Sequence, residues 1–64
     1  MHHYLDRAMK DIFRGQRVIE LASNKKATVA SIDEINQNVY LISDDQNIGI
    51  CSIDKFWEHF QEVE

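Results

Sequence analysis

The chain of 64 residues contains no proline, two glycines and a single cysteine. Because a disulfide needs two thiols, no intrachain disulfide can stabilise the fold, and without a CxxC or Cys/His pair a structural zinc site is not expected. No apolar run approaches the ~18 residues that a membrane-spanning helix requires, and the N-terminus lacks the apolar region of a signal peptide. We therefore expect a cytoplasmic protein, with no membrane association, that is stabilised by packing or by a partner subunit.

Recognisable catalytic motifs are also missing from the sequence, which has no glycine-rich phosphate loop and no nucleophile elbow. His59 has no identifiable nucleophile as a partner, and Cys51 lies in an apolar stretch without a nearby cation that would activate its thiol. The adjacent His2 and His3 are interpreted as a chain terminus or the remnant of a purification tag. We expect no enzymatic activity, no cofactor and no metal site.

Hydrophobic residues make up 44% of the chain and charged residues 28%. This composition is typical of a soluble globular protein and argues against disorder, because enough apolar surface exists to offset the ordering entropy. A chain of this length buries only roughly 60% of the surface that its unfolded form exposes. The sequence therefore predicts one domain over residues 1–64 with a small core.

Apolar residues recur at helical spacing near both ends of the chain. They are Leu5, Met9, Ile12 and Phe13 at the N-terminal end, and Phe56, Phe60 and Val63, with Trp57 beside them, at the C-terminal end. This spacing predicts amphipathic helices over about 3–14 and about 54–63. Gly15 follows the first helix at the position where a helix commonly ends in a left-handed residue.

Between the predicted helices the apolar residues follow a period of two, interrupted by the turn sequences SNKK, EINQN and DDQN. Four strands are predicted, at about 16–22, 27–33, 38–43 and 47–52. Tyr40 and Ile42 should share one face of the third strand, with Val39 and Leu41 on the other. Gly49 is a candidate β-bulge or close-packing position. Short loops favour an antiparallel meander, so the predicted class is α+β: an N-terminal helix, a four-stranded antiparallel meander and a C-terminal helix.

The run GQRVIELASNKKATVASIDEINQNVYLISDDQNIGI resembles the small SH3-like barrel modules of many bacterial and phage proteins. In those modules a glycine precedes an RV strand, a turn leads to a TV.SID strand, and V.LISDD pairs back onto it. The resemblance covers residues 15–53 and implies an SH3-like barrel, either closed or partly open. Such modules usually have five strands, whereas four are predicted here.

A second resemblance is to the small head–tail joining proteins of lambda-like phages. In that family an amphipathic helix ends in a glycine followed by RV, a hairpin comes next, and a second helix closes the chain. The stretches AMKDIFRGQRV and SIDKFWEHF are similar to this pattern, although the present chain has an additional hairpin in the middle. This resemblance implies a role in phage head–tail assembly as an alternative function.

Charge is distributed unevenly along the chain, whose formal net charge is −4. Residues 1–26 hold six cations against three carboxylates, a net charge of +3, whereas residues 27–64 hold one cation against eight carboxylates, a net charge of −7. Either these charges only solvate the surface, or they orient a partner of complementary charge. The candidate partner-binding residues are Arg14, Arg17, Lys25, Lys26, Asp44, Asp45 and Trp57.

Two classes of function remain for such a chain. SH3-like barrels often bind nucleic acid, but a net negative charge disfavours strong phosphate binding, and the cations are not interleaved with aromatic residues that could stack on bases. We expect a small accessory or regulatory module of bacterial or phage origin that binds another protein or forms a homo-oligomer. A sheet edge and the large Trp57 side chain could both serve such an interface.

Overall fold

The structure is a computed structural model that describes the backbone of residues 3–5 and all of residues 11–63. These residues form seven short strands, one 3-10 turn and one single-turn helix. The strands are β1 (His3–Leu5), β2 (Asp11–Phe13), β3 (Arg17–Glu20), β4 (Lys25–Asp33), β5 (Asn38–Ser43), β6 (Ile48–Ser52) and β7 (Phe60–Glu62). The 3-10 turn η1 (Ile53–Lys55) leads directly into α1 (Phe56–His59).

An open antiparallel sheet of five strands dominates the part of the chain that is described. Its strand order is β6-β5-β4-β3-β7, and β1 pairs separately with β2. The predicted antiparallel meander is confirmed, because β3, β4, β5 and β6 pair consecutively in chain order. The fifth strand, β7, pairs with the opposite side of β3 and was not predicted.

Alternation of side chains along the strands places the core on one face of the sheet. Val39 and Leu41 are buried, whereas Tyr40 and Ile42 point to the other face, as the alternation predicts. The register between β4 and β5 shifts between Val29 and Ser31, where a bulge bends the long β4 strand. The apolar residues that are buried are Ile12, Val18, Ala27, Val29, Val39, Leu41, Ile53, Phe56 and Phe60.

Each of the three hairpins of the meander has a residue of positive φ at, or next to, the last position of its loop. Asn24, Gln37 and Gln46 have φ values of 62°, 60° and 69°. In the β5–β6 hairpin, the amide of Gln46 donates to the carbonyl of Ser43 at 2.8 Å, and a turn followed by a left-handed residue results. This is a common three-residue hairpin geometry, and glycine is the residue that best adopts its last position.

Replacing Gln46 by glycine should therefore stabilise the protein, by about 0.5–1 kcal/mol, since the left-handed conformation costs an L-residue more than it costs glycine. The gain is smaller than the full steric cost because glycine also has more conformational freedom in the unfolded chain. Urea denaturation of wild type and Gln46→Gly measures the difference. Gln46→Ala is the matched control and should not be stabilised; equal stabilisation by alanine would contradict the explanation.

The predicted N-terminal helix over residues 3–14 is wrong where the structure describes the chain. His3–Leu5 and Asp11–Phe13 are extended and pair with each other, while residues 6–10 lie outside the described residues. Ile12 alternates with exposed Asp11 and half-buried Phe13. Burial of Ile12 in the core and strand pairing replace the helical bonds, which are marginal for an isolated helix of this length. Gly15, with a φ of 88°, lies in the β2–β3 turn.

The predicted C-terminal helix over residues 54–63 is also corrected. Only Phe56–His59 is α-helical, and Phe60 adopts extended backbone angles, φ −129° and ψ 153°, at the start of β7. The chain leaves the helix because β3 offers it a strand partner: the Leu21 amide donates to the His59 carbonyl at 2.9 Å. Pairing of Ile19 with Gln61 continues the ladder. The sheet thus has a fifth strand, β7, where the sequence predicts that the helix continues.

Buried Gln16 connects the N-terminal hairpin to the five-stranded sheet. Its side-chain oxygen accepts from the Phe13 amide at 3.2 Å, and its side-chain nitrogen donates to Glu62 Oε2 at 3.0 Å and to the Asp11 carbonyl at 3.3 Å. Its backbone carbonyl accepts from the Val29 amide at 2.9 Å. Gln16 therefore joins β2 and β7 through its side chain and contacts β4 through its backbone carbonyl.

Candidate interaction surface

Strand β6 forms one edge of the five-stranded sheet and is largely exposed. Ile48 is 78% exposed and Ile50 is 60% exposed, although both are large apolar side chains. No residue from Ile48 to Ser52 carries a charge, and the register with β5 is continuous along the whole strand. Edge strands of natural proteins are usually protected by charges, bulges or proline, so an uncharged and regular edge is unusual.

The isoleucines of β6 continue onto an apolar patch on the face of the sheet opposite the core. Ile42 lies directly across from Ile48, and Tyr40 lies across from Ile50. Ile42 is itself exposed and Tyr40 is half-buried. We name Ile48–Ser52 together with Tyr40 and Ile42 the β6 surface. Apolar side chains grouped in this way are typical of surfaces that contact other proteins.

A cleft of about 560 Å³ opens on the other side of β6, toward the core. The core residues Ala27, Leu41 and Phe60 line it, together with polar residues that include Lys55 and His59. Gly49 faces this cleft opposite Leu41, and a Cβ built on it would have no heavy atom within 4 Å. The prediction that Gly49 marks a bulge or close packing is therefore wrong, since Gly49 instead leaves the cleft open.

No other strand of the described residues pairs with the outer edge of β6. The Ser43 amide donates to the Asn47 carbonyl at 2.9 Å, which fixes the alternation of the β5–β6 ladder. In an antiparallel pair this alternation directs the N–H and C=O groups of Gly49 and Cys51 toward β5. Those of Ile48, Ile50 and Ser52 consequently point away from the sheet, where another strand could pair with them.

The predicted partner-binding charges lie close to one another within the chain. The Arg17 guanidinium donates to both carboxylate oxygens of Asp44, at 2.7 and 2.9 Å, and to the Thr28 hydroxyl at 2.9 Å. The Lys25 ammonium binds the Asp45 carboxylate at 3.1 Å. The acidic β5–β6 turn thus forms ion pairs with two cations of the basic first part of the sequence. Two of the expected partner-binding cations therefore contact carboxylates of their own chain.

The remaining predicted residues are not brought together. Arg14 lies in the β2–β3 turn and Lys26 near the start of β4, and both are exposed. Trp57 is half-buried on α1, packs against the core and meets the ring of Phe56 edge to face, with centroids 4.8 Å apart. Its packing against the core leaves less of the indole for a partner than its size suggests.

Removing the Arg17 guanidinium should raise the pKa of Asp44 toward its ordinary value. The hydrogen bond from Arg17 is the main cause of the lowered pKa of this carboxyl, and the charges of Arg17 and Lys26 act in the same direction. Because the pKa of Asp44 is depressed in the folded state, its interaction with Arg17 stabilises the fold above the unfolded pKa of about 3.9. This stabilisation is lost as the pH falls through the folded pKa.

Carboxyl titration by NMR of Arg17→Met measures this change. The pKa of Asp45, which is lowered first by the Ser43 hydroxyl and then by Lys25, should move far less and is the internal control. The ion pair is exposed, so the midpoint of denaturation at neutral pH should change little. An unchanged Asp44 pKa would contradict the contact between these two side chains.

The Cys51 thiol lies in surroundings that do not activate it. Burial raises the pKa of the Cys51 thiol, and the carboxylates of Glu20 and Glu58 add to the effect, so the reactive thiolate is disfavoured. Among residues 11–63, no three His, Cys, Asp or Glu side chains lie where they could share a metal ion. No helix in the described part of the chain is long and apolar enough to cross a membrane.

No protein-family model matches the sequence, and neither the curated proteins nor the solved structures contain a significant match to it. The function must therefore be inferred from the geometry of the described residues. Sequence reasoning anticipated a contact at a sheet edge but did not select β6. The uncharged run IGICS was the signal that could have identified it.

Proposed function

We propose that the chain is a small non-enzymatic protein-interaction module that binds through the β6 surface. The observation that carries this proposal is the exposure of Ile48 and Ile50 on an uncharged edge strand. Such an edge is a template for pairing with another chain, and its apolar side chains favour removal from water at about 25 cal/mol per Å². The protein would act by presenting this edge to a partner strand.

Strand addition is the binding mode that the geometry supports. The outward N–H and C=O groups of Ile48, Ile50 and Ser52 would pair with the partner backbone. The isoleucines would be covered on the outer face, and the cleft beside Gly49 would accept a partner side chain on the inner face. Backbone pairing would provide affinity and the two side-chain faces would provide selectivity.

We further propose that the fold is an SH3-like barrel that is partly open beside β6. The five-stranded antiparallel sheet supports this assignment, because SH3-like modules usually have five strands and β7 supplies the strand that the sequence pattern lacked. The resemblance to head–tail joining proteins required a helix before Gly15, and Asp11–Phe13 is a strand. A nucleic-acid role is less favoured, because Arg17 and Lys25 already contact Asp44 and Asp45.

Affinity capture from an extract of the source cells tests the proposed function. The wild type is compared with Ile50→Lys, which places a charge in the middle of the β6 surface, and with Ile35→Lys as the matched control. Ile35 is 93% exposed in the β4–β5 loop, so the same substitution there leaves β6 intact. Both variants should keep the fold, because exposed substitutions change stability little.

We expect wild type and Ile35→Lys to retain the same protein, either another chain or additional copies of this one, and Ile50→Lys to lose it. Nuclease treatment should leave capture unchanged. Equal capture by Ile50→Lys, loss of capture after nuclease treatment, or a wild-type chain that binds no protein and stays monomeric would each overturn the proposal.

A further inference from the structure

We infer that the strand which pairs with β6 is the β6 strand of a second copy, in an antiparallel homodimer with Ile50 on the two-fold axis. The inference rests on the proposed function of β6 as a contact strand and identifies its partner. Closed two-fold dimers use one self-complementary patch on both subunits. The β6 surface meets this requirement in its backbone and its side chains.

The outward-pointing backbone groups of β6 are placed symmetrically about Ile50, as pairing of two identical antiparallel strands requires. The residues whose N–H and C=O groups point outward are Ile48, Ile50 and Ser52, spaced evenly around the middle of the strand. With Ile50 opposite the partner's Ile50, Ile48 meets the partner's Ser52. All five residues of each strand then take part in the new ladder, and the two five-stranded sheets become continuous.

The side chains of the two faces are complementary in this register. On the outer face, the two Ile50 side chains meet at the axis with Ile48 diagonal to them, so that the most exposed isoleucines of the sheet cover one another. On the inner face, Gly49 lies opposite the partner's Cys51. The open space at Gly49, with no atom within 4 Å of a Cβ there, has room for that thiol.

The charges at the ends of β6 do not select the orientation. Asp44 and Asp45 already pair with Arg17 and Lys25 of their own chain, and η1 carries exposed Asp54 beside exposed Lys55. The antiparallel orientation rests on the direction of the backbone groups of β6. An interface of five residues a side is small, so the dissociation constant should be on the order of micromolar.

Disulfide trapping tests the register directly. Gly49→Cys places a thiol opposite the partner's Cys51 in a pair that is not hydrogen-bonded, where Cα atoms are about 4.5 Å apart, within the range that a disulfide spans. With oxidised glutathione as the oxidant, a covalent dimer should form on a non-reducing gel at least about tenfold faster than for Ile35→Cys, which reports random collision.

In the double variant Gly49→Cys, Cys51→Ser, the rate of covalent dimer formation should fall to that of Ile35→Cys. For Gly49→Cys alone, peptide mass spectrometry should find the disulfide between position 49 of one copy and position 51 of the other. Bonds between like positions, or trapping no faster than for Ile35→Cys, would overturn the register. Intact mass separates these dimers from a bond between the two thiols of one strand.

Light scattering of the unmodified chain supplies the independent readout. Wild type and Ile35→Lys should dimerise as concentration rises through the micromolar range, and Ile50→Lys should remain monomeric. A wild type that stays monomeric at high concentration overturns the homodimer. If capture of another protein still depends on Ile50, the proposed function stands without this inference; if that dependence is absent as well, both fail.

Discussion

Phe56→Ala should leave the chain close to unfolding at 25 °C. Phe56 is fully buried, its ring stacks on Phe60 with centroids 4.9 Å apart, and Trp57 packs against its edge. Removing a buried phenylalanine costs about 3–5 kcal/mol, through lost transfer energy and the cavity left behind. The whole stability of so small a domain is on the order of 5 kcal/mol.

Thermal denaturation followed by circular dichroism measures this loss. Phe60→Ala should behave similarly, because Phe60 is also buried, although it belongs to β7 and not to a helix. Ile35→Ala removes an apolar side chain that is 93% exposed and should melt like wild type. A Phe56→Ala variant that melts with the wild type would show that η1 and α1 do not dock on the sheet.

Gln16→Ala should destabilise the fold by about 1–3 kcal/mol, the usual cost of removing a buried hydrogen-bonding partner. The Gln16 side chain is bonded to the Phe13 amide, the Asp11 carbonyl and the Glu62 carboxylate. Urea denaturation measures the change. Gln61→Ala is the matched control, since Gln61 is exposed on β7 and its loss should have little effect. Equal effects of the two substitutions would contradict the role of Gln16.

The isosteric Gln16→Glu variant adds a pH test to the same site. It places a second carboxylate within about 3 Å of Glu62, so the pKa of the introduced group should be raised in the folded state. A group whose pKa is raised in the folded state contributes its full stabilisation below the unfolded pKa of about 4.3. This contribution is lost as the pH rises through the folded pKa. The free energy of unfolding of Gln16→Glu should thus fall further below that of wild type at neutral pH than in mild acid. A pH-independent difference would contradict the contact with Glu62.

Local patterns were sufficient to predict the meander but not the ends of the chain. Val39 and Leu41 alternate with Tyr40 and Ile42, and polar loops separate the strands, so the strand positions can be derived from neighbouring residues alone. The segment around Ile12 and the segment from Phe60 onward have helical spacing, yet both are strands. Their conformation depends on pairing with distant segments, and tertiary pairing overrides a local preference of a few tenths of a kcal/mol per residue.

The candidate site was predicted only in part for a similar reason. The sequence identifies the charged residues but not the ion pair between Arg17 and Asp44, which are 27 positions apart and meet across three neighbouring strands. The exposure of Ile48 and Ile50 depends on β6 being an edge, and strand order in a sheet cannot be read from period-two alternation. The sequence pattern consequently predicts only an ordinary strand for Ile48 and Ile50.

Amide hydrogen exchange along β6 tests most directly whether this strand is the contact edge. In dilute protein the amides of Gly49 and Cys51, which bond to β5, should exchange slowly, and those of Ile48 and Ile50 should exchange quickly. At high concentration, or with a bound partner, Ile48 and Ile50 should become protected while Gly49 and Cys51 change little. Protection of Ile48 and Ile50 in the dilute monomer, or rapid exchange at these two amides in an associated state, would contradict the account.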